Sequence, residues 1–104
     1  MARASTSDSR GNEIYLTDEG WTHIVETHEE MMNYRQHVLT TVRTGHRRQD
    51  AFDPTKYKYS KRFRDLPEGF THLVVVVKFA WGEKHEGRES PNNFVLTAYQ
   101  VSRR

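Results

Sequence analysis

The segment Phe70–Trp81 reads FTHLVVVVKFAW, and its four consecutive valines decide the fold class. β-Branched residues in an unbroken run favour extended backbone, and a run without polar alternation predicts a strand buried on both faces. The reading extends in both directions from there. Leu66-Pro67-Glu68-Gly69 is a turn, and before it Lys56–Arg64 alternates. That alternation puts Tyr57, Tyr59, Lys61 and Phe63 on one face, with Lys56, Lys58, Ser60 and Arg62 on the other. Asp53-Pro54 is a further turn signal, and Arg47–Phe52 is a candidate strand ahead of it. After the valine strand, 82–93 reads as a long polar loop. Asn93–Val101 then reads as the last strand, with Val95, Thr97, Tyr99 and Val101 on one face and Phe94, Leu96 and Ala98 on the other.

Towards the N-terminus the period changes. Trp21, Ile24, Val25 and His28 recur at helical spacing, with Thr17 placed to cap and Asp18 and Glu19 in the first turn, where the helix dipole favours negative charge. Met31, Tyr34, Val38 and Val42 form a second stripe that ends at Gly45. A break at His28-Glu29-Glu30 predicts two helices. Ile14-Tyr15-Leu16 is a short apolar lead-in, either a strand or a staple onto the first helix. Residues 1–12 read as a disordered polar tail, and 13–104 as a single domain. The expected architecture is α+β: two N-terminal helices packed on a three- to four-stranded antiparallel sheet.

Composition narrows the chemistry. Leu, Ile, Val and Phe together number 21 in 104 residues, so the core is thin, yet the low net charge of +2 and twelve aromatic residues argue against disorder. No apolar run approaches the ~20 residues that span a bilayer, and Met1–Asn12 lacks the apolar stretch of a signal peptide, which predicts a cytoplasmic, membrane-free protein. With no cysteine, thiol chemistry and Cys-ligated metals are excluded. His23 and His28 lie five apart and point ~140° away from each other on one helix, so they cannot share a metal. His-Glu-x-x-His, Gly-rich phosphate loops and Gly-x-Ser-x-Gly are all missing. No cofactor is expected.

The small net charge conceals a dipole along the chain. Residues 1–34 sum to −5, residues 35–64 to +7, and the remainder to zero. A basic block interleaved with Tyr57, Tyr59 and Phe63 suits either a phosphate-rich partner or a solvated hairpin whose lysines protect an edge. His28 shares its stripe with apolar residues, as a structural histidine at a helix junction or as a general base or acid held against the sheet. Lys78, interrupting the apolar strand just after the four valines, poses the same question, with a snorkelling side chain at a strand end as its structural reading. Thr97 lies between Leu96 and Ala98, where β-propensity alone would suffice to place it.

The strings Trp21-Thr22-His23-Ile24-Val25-Glu26-Thr27-His28, Val38-Leu39-Thr40-Thr41-Val42, Lys56-Tyr57-Lys58-Tyr59, Leu73–Lys78 and Asn93–Tyr99, in this order over residues 14–101, resemble the barnase–EndoU–colicin–RelE-like nuclease superfamily, in particular its phage- and mobile-element-associated branch. The resemblance implies two helices followed by a four-stranded antiparallel sheet. It also implies a toxin-like, metal-independent endoribonuclease that uses the 2′-OH of RNA as nucleophile and leaves a 2′,3′-cyclic phosphate. Carried onto this chain, it makes His28 the base or acid, with His23 as alternate. Lys58 or Tyr59 falls at the phosphate with Lys56 nearby, and Arg62 follows the tyrosines. Thr97 orients the phosphate, Tyr99 stacks or transfers a proton, and Lys78 is a further phosphate ligand. RNA is then the partner, together with an antitoxin or immunity protein that masks the site. A silent RNA- or protein-binding module on the same fold is the alternative.

Overall fold

A computed structural model describes residues 2–82 and 90–103. The chain opens with β1 (Arg3–Ser7), paired antiparallel with β2 (Glu13–Thr17) so that Arg3 faces Thr17 and Ser7 faces Glu13. The stretch expected to be an unstructured tail is therefore a strand. It lacks any apolar alternation and is ordered by its ladder and its turn. Asp8 Oδ1 accepts the N–H groups of Arg10 and Asn12, and Gly11 supplies the left-handed φ of +84°.

Thr17 closes β2 and caps α1 (Asp18–Thr27), its Oγ1 accepting the Gly20 N–H at 2.9 Å. The helix ends at His28, whose N–H reaches Ile24 O. A single 3-10 turn, Glu29–Met31, separates it from α2 (Arg35–Thr44), so the break falls where the sequence indicates. Gly45 follows. A Cβ there would lie 2.4 Å from Thr41 O and 2.7 Å from Ser60 O, so only glycine lets the chain pass between α2 and the sheet.

The remaining strands are β3 (His46–Gln49), β4 (Lys56–Arg62), β5 (His72–Lys78) and β6 (Asn93–Val101), joined as an antiparallel ladder. β2 adds to β6 in parallel, through Ile14 opposite Asn93 and Tyr15 opposite Phe94. The sheet is thus six-stranded and mixed, in the order β1-β2-β6-β5-β4-β3. This corrects the expected three- to four-stranded antiparallel sheet, although the α+β class stands. The two extra strands precede the helices and are five residues each: β1 is too polar to declare itself by pattern, and β2 contains the Ile14-Tyr15-Leu16 lead-in, read above as either a strand or a staple.

One side of the sheet is covered. Ile24, Met31, Val38 and Val42 from the helices pack on Ile14, Leu16, Tyr59, Leu73, Val75, Val77, Val95 and Ala98. The register of β6 slips between Val76 and Val77 of its neighbour, with Thr97 opposite Val76 but Val95 opposite Val77. Leu96 is the extra residue of a bulge, and it reverses the alternation along the strand. Val95, Ala98 and Gln100 therefore face the helices, while Phe94, Thr97, Tyr99 and Val101 face the other way. The expected grouping of Val95 with Thr97 and Tyr99 is corrected accordingly. On the covered side the β1–β2 turn reaches β4, where Tyr59 Oη donates to Asp8 Oδ2 at 2.6 Å. Among the described residues, no helix is long and apolar enough to cross a membrane.

Candidate functional site on the open sheet face

The face of β3–β6 turned away from α2 carries five of the seven Lys and Arg residues of these strands. Register places Arg48, Lys58, Val76 and Thr97 in one row across four strands, and His46, Ser60, Val74 and Tyr99 in the next. Arg62, His72 and Val101 make a third row, and Lys56, Lys78 and Phe94 a fourth. At ~4.8 Å per strand, Lys58 and Thr97 are about 10 Å apart along their row. Among the described residues, Arg48, Lys56, Lys58, Arg62 and Arg103 make no ion pair. This half of the face is an electropositive surface open to an anion.

Lys78 is different. Its ammonium lies 3.4 Å from Asp53 Oδ2 and donates to Thr55 Oγ1, which relieves its position directly across from Lys56. Asp53 is held down to about 2, chiefly by the Thr55 hydroxyl and N–H, with Lys78 assisting against burial. Lys78 therefore braces the β3–β4 loop and is the least available of the expected phosphate ligands.

His23 of α1 and His28 at its C-terminal end lie along the other margin. α1 packs beside β6, and the His28 ring sits 5.7 Å from the Tyr99 ring, tilted 38°. The imidazole is about one-third exposed (31%), with Nδ1 3.8 Å from Glu30 Oε2. His23 is exposed and lines a depression of about 570 Å³ with Thr17, Glu26, Phe94 and Leu96.

Tyr59 does not join them. Its side chain is buried on the covered face, bonded to Asp8 with Arg47 4.0 Å from the same carboxylate, while the Arg47 guanidinium lies over the Tyr57 ring. Burial and the neighbouring carboxylate push the Tyr59 phenol well above its ordinary value, so it stays a hydrogen-bond donor. Its expected place at a phosphate is not supported by this position, because strand alternation sends Tyr59 and Lys58 to opposite faces.

Several residues of the open face were not singled out from sequence. His46, Arg48, Phe52, Ser60 and Arg103, together with the Asp50 carboxylate and the expected Lys58, line a depression of about 600 Å³ at the β3–β4 end. His72 lies between Arg62 and Val101 across the strands, with Nδ1 2.7 Å from Thr71 Oγ1. Burial lowers its pKa below 6.5, and the charges of Arg103 and Arg62 lower it further. The available signal was its even-numbered position in the β5 run, in phase with Lys78 across Val74 and Val76.

Transphosphorylation of RNA needs a base for the 2′-OH, an acid for the departing 5′-oxygen, and cations for charge that grows on the phosphoryl oxygens. His28 and Tyr99 stand side by side, and the Arg48–Lys58–Thr97 row sets two cations and a hydroxyl along one line of the sheet. Searches of protein-family models, of curated proteins and of solved structures found no match to the chain.

Proposed function

We propose that the protein is a metal-independent endoribonuclease that holds RNA across the open face of β3–β6. The observation that carries this reading is convergence. His28, Lys56, Lys58, Arg62, Lys78, Thr97 and Tyr99 come from four separate elements and reach one face or its margin, with His23 on the adjoining helix. In this scheme His28 and Tyr99 exchange the two protons: one takes the proton from the 2′-OH as its oxygen attacks phosphorus, and the other gives a proton to the 5′-oxygen as its bond to phosphorus breaks. Lys58 and Arg48 hold the phosphoryl oxygens and Thr97 orients them. The products are a 2′,3′-cyclic phosphate and a free 5′-OH, and the cytoplasm is where such a substrate is met.

The chemistry is tested with an oligodeoxynucleotide carrying a single ribonucleotide. Cleavage only on the 3′ side of that ribonucleotide supports the scheme, and cleavage of the all-deoxy strand refutes it. A binding-only role is the second reading. It is favoured by the ~10 Å between the Lys58 and Thr97 positions, which leaves the cations a wide cradle.

A further inference from the structure

The backbone of the loop between β3 and β4 is tied down by hydrogen bonds that include the Phe52 N–H but not its side chain. Asp50 Oδ1 accepts the N–H groups of Phe52 (2.7 Å) and Asp53 (3.0 Å), and Asp50 N–H donates to Lys56 O. Asp53 Oδ1 takes both the N–H and the hydroxyl of Thr55, and Gln49 Nε2 donates to Pro54 O. The backbone is thereby fixed by polar side chains and main-chain bonds, and the Phe52 ring contributes nothing to it. That ring is 98% exposed and makes no aromatic or cation contact among the described residues.

A lone exposed apolar side chain is ordinary on a protein surface. This one is distinguished by its neighbours. It borders the 600 Å³ depression in which Arg48, Lys58, His46, Arg103 and Asp50 also stand, a site with one flat apolar platform and three fixed cations against one carboxylate, whose Oδ1 is already taken by the Phe52 and Asp53 N–H groups. An apolar partner would leave those cations unpaired, and a bare anion would leave the ring in water. A nucleotide with its base unpaired satisfies both, because every base has a π-face and every nucleotide a phosphate. In a duplex the base faces are already stacked on their neighbours and cannot reach a protruding ring.

The geometry points to Phe52 as the stacking platform for one unpaired base of single-stranded RNA, with adjoining phosphates on Arg48 and Lys58. The inference rests on the RNA reading above and deepens it: the strand is bound unpaired, and the β3–β4 loop sets where along it the protein sits.

The test uses the full chain and a fluorescein-labelled 2′-O-methyl oligoribonucleotide, which cannot be cleaved through its 2′ position, alone or annealed to its complement. Anisotropy at low salt measures both affinities. Phe52→Ala should weaken single-strand binding by about 5- to 100-fold and leave duplex binding unchanged. Phe52→Trp should retain single-strand affinity, and neither variant should shift the thermal midpoint. Unchanged single-strand affinity in Phe52→Ala, with loss in an Arg48→Ala/Lys58→Ala double variant, overturns the stacking site and leaves RNA binding standing. A wild-type dimer that Phe52→Ala turns to monomer in sedimentation also overturns it, assigning the ring to self-association. Absence of any wild-type binding refutes the RNA reading itself.

Discussion

Replacing Tyr59 with phenylalanine separates a structural role from a chemical one. The substitution keeps the buried ring and removes only Oη, which donates to Asp8 Oδ2 at 2.6 Å. Asp8 has a side chain 2% exposed, so its carboxylate loses a charge-assisted bond that water cannot replace. Bonds of this kind contribute ~1.5–3 kcal/mol, and Asp8 retains Asn12 Nδ2, which puts the expected loss near the middle, at about 2 kcal/mol. In a domain of this size, that lowers the thermal midpoint by about 8–16 °C, readable by far-ultraviolet circular dichroism. The pH dependence carries a second signature. Burial raises the Asp8 pKa, but hydrogen bonds from Tyr59, Asn12 and Arg10 outweigh it and hold it below 3.8. A carboxyl depressed in the folded state stabilises fully above its unfolded value and loses that contribution as pH falls through the folded one. The gap between wild type and Tyr59→Phe should therefore narrow below about pH 4. RNA cleavage by the folded variant should be unchanged. A midpoint shift under about 4 °C, or lost cleavage with the fold intact, would refute the assignment of Tyr59 to the hairpin latch.

His28→Ala and Tyr99→Phe should each reduce RNA cleavage by about 100-fold or more, as removal of a proton-transfer group does, while unfolding stays cooperative. Lys58→Ala and Arg48→Ala should each lower the slope of log affinity against log salt by about one. Gly45→Ala drives a methyl into Thr41 O and Ser60 O and should cost about 1–3 kcal/mol, seen in chemical denaturation, with no effect on the specific activity of the folded fraction. The His72 imidazole should titrate below 6.5 by NMR, and Arg103→Ala should move it upward while burial keeps it under that value.

Local chemistry foretold the helices well: Thr17 caps the first, the break falls after His28, and Gly45 closes the second. The valine run placed the central strand, which covers His72–Lys78 where the sequence predicts Phe70–Trp81. Two things were not legible. β1 has no apolar pattern, and it is held by an Asp8–Asn12 turn whose buried partner, Tyr59, lies 51 residues away. The Leu96 bulge inserts one residue into an otherwise regular alternation, and nothing in Phe94-Val95-Leu96-Thr97 marks which residue is extra. Tyr59 carries a different lesson. The alternation of β4 already separates it from Lys58, whereas the family resemblance leaves either residue open as the one at the phosphate. Periodicity is the physical constraint, and the structure follows it.

The most direct test of the ribonuclease reading is the chemistry of the ends it makes. Purified protein is incubated with total RNA in excess EDTA, and the fragments are assayed for 2′,3′-cyclic phosphate and 5′-hydroxyl termini, with His28→Ala in parallel. Cyclic-phosphate ends from wild type and almost none from His28→Ala are predicted. Intact RNA at protein concentrations that saturate binding, or equal cleavage by His28→Ala, would contradict the account.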